Sequence, residues 1–151
     1  MRRAAAGLAA LGAASVLAGC SAQAVEVPEP SPDAAAEDAC RALVERSPER
    51  LFGQERVEVR PETPYAAAWG DPPIALRCGV GRPAELRPDS ELMVVDEVAW
   101  LPEPPGVYTA VGREAYVEVV VPPSYGAPAE GLVEISDLVF REIPELPSGE
   151  L

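Results

Sequence analysis

Three cysteines, at positions 20, 40 and 78, are the thiols on which this chain could carry covalent chemistry. Cys20 closes the run Leu17-Ala18-Gly19-Cys20, which follows Arg2-Arg3 and an Ala-rich apolar stretch. A positive start, a short apolar stretch and small residues ahead of a cut are the three parts of a secretory signal. The stretch from Ala4 to Leu17 is shorter than the roughly 20 residues a membrane-spanning helix needs, so a cleaved signal over residues 1–19 is expected. The Leu-Ala-Gly-Cys pattern adds a specific reaction, the transfer of a diacylglyceryl group to the thiol followed by cleavage between Gly19 and Cys20. Cys20 would then be a lipidated N-terminus. Two acyl chains, at roughly 0.8 kcal/mol per buried methylene, would hold the protein on the extracytoplasmic face of the cell membrane.

Cys40 and Cys78 remain as an even pair in a chain bound for an oxidising compartment, and a disulfide between them is expected. Ala36, Cys40, Leu43 and Ser47 recur at helical spacing, whereas Ile74, Leu76, Cys78 and Val80 alternate on one face of a strand. Both sulfurs would therefore point at the core, and the bond would staple a first helix to a sheet. No Cys-x-x-Cys spacing and no neighbouring His or Lys marks either thiol as redox-active.

Two residue types are missing altogether. The sequence has no His, and its 12 basic residues are all Arg. This removes Ser-His-Asp and Cys-His nucleophiles, Schiff bases, His-ligated metals and the P-loop lysine, and no cofactor or metal is expected. Carboxylate chemistry survives in principle, as a calcium site of oxygen ligands or as a hydrolase using Asp71 with Asp96 or Glu97 in a cleft holding two acids roughly 5 to 10 Å apart. Yet 25 acidic residues form pairs by chance, and a solvated surface is the expectation. Once Arg2 and Arg3 leave with the signal, the other ten Arg face 25 acidic residues, which argues against nucleic acid as a partner.

These residues must be positioned by a chain with one domain's worth of core. After the signal, residues 20–32 read as the lipidated Cys and a tether broken by Pro28, Pro30 and Pro32, able to hold the domain on the order of 35 Å from the membrane. Residues 33–147 read as a single globular domain and 148–151 as a C-terminal tail. A first helix starts with Ser31 as cap and Pro32 in its first turn and stops at Ser47-Pro48. Strands follow at Arg56–Arg60, Tyr65–Trp69, Ile74–Val80 and Leu92–Trp100, and a hairpin turning at Gly112-Arg113 joins Val107–Val111 to Ala115–Val121. Leu132, Ile135, Val139 and Ile143 then form a helical stripe beginning near Pro128. The expected fold is α+β: a mainly antiparallel sheet of five or six strands, most simply a meander, with an N-terminal and a C-terminal helix on one face.

The run Ala68-Trp69-Gly70-Asp71-Pro72-Pro73-Ile74-Ala75-Leu76-Arg77-Cys78-Gly79-Val80 is the most distinctive in the chain. Together with Leu-Ala-Gly-Cys20, Cys40, a Trp100 strand, Gly112-Arg113 and a Val-rich strand ending at Pro122, it resembles the actinobacterial lipoprotein family catalogued as domain of unknown function 3515. The resemblance implies an exported, membrane-anchored envelope protein and supplies no catalytic residues.

Read from the residues, Gly70-Asp71-Pro72-Pro73 is turn chemistry: Gly tolerates an unusual φ, Asp bonds its own backbone and Pro fixes the exit into the strand. A functional reading brings Trp69, Asp71 and Arg77 together at one edge of the sheet, with Arg113 in a hairpin turn, to bind a sugar, a carboxylate or a protein loop. Trp69 and Trp100 as core residues is the competing reading. The expectation is a binding or scaffolding module, and not an enzyme, that meets an envelope protein or cell-wall polymer; the alternative is the carboxylate hydrolase.

Overall fold

The computed structural model describes residues 24–147. In chain order its elements are β1 (Val25–Glu26), α1 (Glu37–Glu45), β2 (Arg50–Leu51), β3 (Gln54–Val57), β4 (Val59–Arg60), β5 (Ala66–Trp69) and β6 (Ile74–Val80), followed by β7 (Met93–Val95), β8 (Val98–Glu103), β9 (Val107–Val111), β10 (Tyr116–Val120), a short 3-10 turn (Pro123–Tyr125) and α2 (Ala129–Glu142). Eight strands form an antiparallel sheet in the order β2-β3-β5-β6-β10-β9-β8-β7, and β1 and β4 form a separate parallel pair. The α+β class holds; the sheet has eight strands where five or six were expected.

The extra strands come from breaks inside two segments read as single strands. Arg56–Arg60 divides at Glu58, so that β3 joins the main sheet while β4 pairs with β1. Leu92–Trp100 folds back at Asp96-Glu97, whose φ angles of 43° and 64° make a two-residue hairpin between the paired Val95 and Val98. Nor is the sheet one meander. After β6, residues 81–92 cross to the far edge to start β7, and β7 to β10 return strand by strand until β10 pairs with β6.

Period-two burial explains the layering. Trp69, Ile74, Leu76, Cys78, Trp100, Ala110, Val117 and Val119 lie on one face, and all are fully buried in a single core with Cys40, Leu43, Leu132, Ile135, Val139 and Ile143 of the helical segments. Both helices thus pack on the same face. Cys40 and Cys78 form the expected disulfide, with Cα atoms 5.3 Å apart, linking α1 to β6.

The other face is covered by unexpected material. Val25 donates its N–H to Glu58 O and Val27 to Arg60 O, both at 2.8 Å, and Ser31 donates to Gly79 O at 3.1 Å. Val27 and Pro30 are buried, the former against Ala66 and Ala68. From Val25 onward, then, the segment read as a free tether is an arm laid across the sheet. Ser31, whose N–H docks on β6, does not cap the helix, because α1 begins later, with Ala36 at its N-cap and no side-chain cap. The 81–92 crossover covers the rest of this face by packing Leu86 against Leu101 and Val111. Residues 1–23 and 148–151, which hold the signal, Cys20 and the C-terminal tail, lie outside the described residues.

Two predictions follow from this packing. The disulfide closes a sequence separation of 38, for which loop-closure entropy gives about 4 kcal/mol; Cys40→Ala/Cys78→Ala should lose stability of that order in urea titration, with both sulfurs' space left in the core. At Gly79 the φ of +83° is unfavourable for any side chain, and an added Cβ would come within 2.4 Å of Pro32. Gly79→Ala should therefore lift the arm, seen as faster proteolysis between Val25 and Pro32 than in the wild type, with a cost of about 1–3 kcal/mol.

Candidate functional site

The four residues expected to converge are dispersed. Trp69 is fully buried in the helical core, and its indole Nε1 donates to Pro48 O at 2.8 Å beneath the Arg56 guanidinium. It is no part of an exposed edge, because the alternation that places Ile74 and Cys78 inward also places its cross-strand partner Trp69 inward. Trp100 is core as well, donating to Ser136 Oγ at 2.9 Å. Arg77 points to the opposite face, where Nε and Nη2 both reach Glu118 Oε1 at 2.9 and 2.6 Å and Nη1 donates to Pro28 O. It ties the arm to β10.

Arg113 is not solvated in a turn; only 5% of it is exposed. Its guanidinium donates to Ile143 O and to Glu97 O, each at 3.1 Å, and lies 5.2 Å from the Phe140 ring centroid. It thereby fastens the end of α2 to the β7–β8 turn, where Asp96 and Glu97 have positive φ. No ion pair compensates this cation among the described residues; carbonyls and a ring hold it.

Asp71 remains exposed in its turn. Gly70 has the positive φ expected of it, and Tyr125 Oη donates to Pro72 O at 2.7 Å, bracing the turn from the segment ahead of α2. Asp71 borders a depression of about 710 Å³ between this turn, Gln54 of β3, and Ala24 and Val25 of the arm. Glu26 and Glu55 also line it, and Glu55 is paired with Arg50 at 3.1 Å. Among the described residues no group of three His, Cys, Asp or Glu is arranged to hold a metal.

Register also separates the carboxylates proposed as a hydrolytic pair. Trp69 pairs with Ile74 at the Asp71 turn, and Ala75, Val120, Val107 and Glu103 continue that end of the sheet. The Asp96-Glu97 turn sits at the opposite end, where Ala99 pairs with Val111. Asp71 and Asp96 or Glu97 therefore cannot flank one bond. Sequence reasoning passed over the apolar side chains beside Asp96, namely Val133 and Phe140, which are exposed at 46% and 44%. Their signal was present: both fall off the Leu132-Ile135-Val139 stripe.

Taken together, this is an α+β domain with two helices on one face of an antiparallel sheet, an N-terminal arm on the other and one buried disulfide between the layers. The chain belongs to the family described as Protein of unknown function (DUF3515), which matches residues 4–148. No curated protein and no solved structure matches it.

The role given to Arg113 is testable without any ligand. Arg113→Lys keeps the charge but loses the planar fork that reaches two carbonyls. It should cost about 1–3 kcal/mol in urea titration and speed amide exchange around Asp96 and Glu97, whereas exposed Asp71→Asn should stay within about 0.5 kcal/mol of wild type.

Proposed function

We propose that the chain is an exported, lipid-anchored binding module of the cell envelope, acylated at Cys20. The buried Cys40–Cys78 disulfide carries this reading, since such a bond belongs to an oxidising compartment and leaves Cys20, in its lipobox, as the sole other thiol. No helix among the described residues is long and apolar enough to cross a membrane.

The docked arm changes the geometry of anchoring. Pairing of Val25 with Val59 leaves only residues 21–24 between Cys20 and the folded body, a reach of at most roughly 18 Å. The domain would sit close to the bilayer, with the end of the sheet that carries Ala24 and the Asp71 turn toward it. A partner would then meet the surfaces at the other end.

The test is expression in the native host with an alkyne fatty acid, followed by click detection and detergent phase partition. Wild type should carry the label, enter the detergent phase and show Cys20 as the first residue of its N-terminal peptide. Cys20→Ala should lose the label and stay aqueous or unprocessed. An unlabelled wild type cut at another position would replace the lipid anchor with an ordinary secretory signal.

A further inference from the structure

The three large apolar side chains exposed among the described residues are Val94, Val133 and Phe140, at 70%, 46% and 44%. Val133 and Phe140 lie on α2 where it packs beside edge strand β7, whereas Val94, paired with Ala99 between the inward-facing pairs Met93–Trp100 and Val95–Val98, points to the other face of that strand. A scattered exposed valine such as Val94 needs no explanation, but an exposed Val and Phe side by side in one depression do. Val133 and Phe140 line a depression of about 540 Å³ whose remaining walls are Asp96, Glu97, Glu134 and Asp137.

This depression is braced from behind. Phe140 rests against the Arg113 guanidinium, itself held by Ile143 O and Glu97 O, so the ring has little freedom left to lose on contact with a partner. Around it the charge is one-sided. Asp137 is paired with Arg141, whereas Asp96, Glu97 and Glu134 enter no ion pair among the described residues.

The backbone adds an independent feature. Val95 and Val98 flank a two-residue turn and so form its hydrogen-bonded pair. The next pair, Val94 with Ala99, is therefore the non-hydrogen-bonded one, and the N–H and C=O of Val94 face away from β8. Because β7 ends the sheet, they face an open edge.

We infer that this corner docks an extended, basic peptide segment of another protein by strand addition. The segment's backbone pairs at Val94 and its apolar side chains on the α2 side lie over Val133 and Phe140, while the negative charge of Asp96, Glu97 and Glu134 around them favours a segment of net positive charge. A second copy of this chain is the wrong occupant, since it would bring the same acidic rim against itself. The inference goes beyond the anchoring reading and stands without the lipid, because the corner lies at the end of the sheet away from Ala24.

The probe is a fluorescein-labelled dodecapeptide alternating Arg and Leu, titrated by anisotropy against the purified full-length mature chain in detergent. Saturable binding at roughly tens of micromolar is expected, weakened at least tenfold by Phe140→Ser, by Asp96→Asn/Glu134→Gln and by Val94→Pro. The last removes an outward N–H and an exposed side chain at an edge, where proline is tolerated, and thermal melts would confirm that each variant folds. Glu29→Gln/Glu37→Gln, which removes equal charge elsewhere, should leave binding unchanged. The inference is overturned by absence of binding up to 1 mM, by binding that all three corner variants share with wild type, or by equal binding of an Asp-Leu peptide. A concentration-dependent dimer abolished by Val94→Pro would give the edge to a second copy and overturn it too.

Discussion

Strand β6 must satisfy two unlike neighbours at once, and most of the architecture follows from how it does so. Its residues Ile74, Leu76 and Cys78 face the helices and are fully buried, while Ala75, Arg77 and Gly79 face the arm. The inward side is held covalently at Cys78 and by dispersion in a close-packed core. The outward side is held by polar contacts: Arg77 to Glu118 and Pro28 O, and Gly79 O accepting from Ser31. An arm lying this close over a strand leaves no room for a side chain at position 79, which gives the Arg-Cys-Gly-Val run a structural meaning residue by residue.

A chain with so few cations uses several of them on carbonyls. Helix α1 has no basic residue in its last turn, and Arg56 of β3 supplies one from outside, donating to Val44 O, Ser47 O and Ser47 Oγ. Arg113 does the equivalent at Ile143, just past α2. In each case a guanidinium from the sheet meets the negative end of a helix, where a cation is favourable and where orphan carbonyls need donors. Arg46 and Glu142 join the two helices directly. The Trp69 and Phe140 rings each lie beneath one of these sheet-borne cations, so the same contacts that finish the helices also position the aromatic side chains.

Periodicity carried much of the fold in the sequence. The stripes Ala36-Cys40-Leu43-Ser47 and Leu132-Ile135-Val139-Ile143, and the alternation in β6 and β10, are buried as their spacing requires. The proline-rich arm was opaque because its two-residue pairing with β4 has no alternation to detect, and prolines read the same in a spacer as against a surface. The turn at Asp96-Glu97 lacks the glycine that normally announces a two-residue hairpin; what holds it is Arg113, distant in sequence. The proposed convergence of Trp69, Asp71, Arg77 and Arg113 failed for one reason. It grouped residues by motif, whereas strand parity sends Trp69 and Arg77 to opposite faces and a turn keeps Asp71 at the rim.

On the anchoring proposed above, the placement of charge has a consequence for recognition. The acidic corner at Asp96, Glu97 and Glu134 and the point where the arm enters lie at opposite ends of strands. Seven residues of β6 at about 3.3 Å each separate those ends by roughly 20 Å. Screening at physiological salt has a length of about 8 Å, so an anionic leaflet beside Ala24 would neither repel that corner nor compete at close range for the same basic segment. Had the arm been the free spacer its prolines suggest, the domain could rotate and the corner could face the membrane. With a lipid at Cys20, docking of residues 25–31 on the sheet would put the Ala24 end nearer the membrane, and so would couple a purely structural interaction, the arm on β5 and β6, to the direction in which the exposed aromatic corner points.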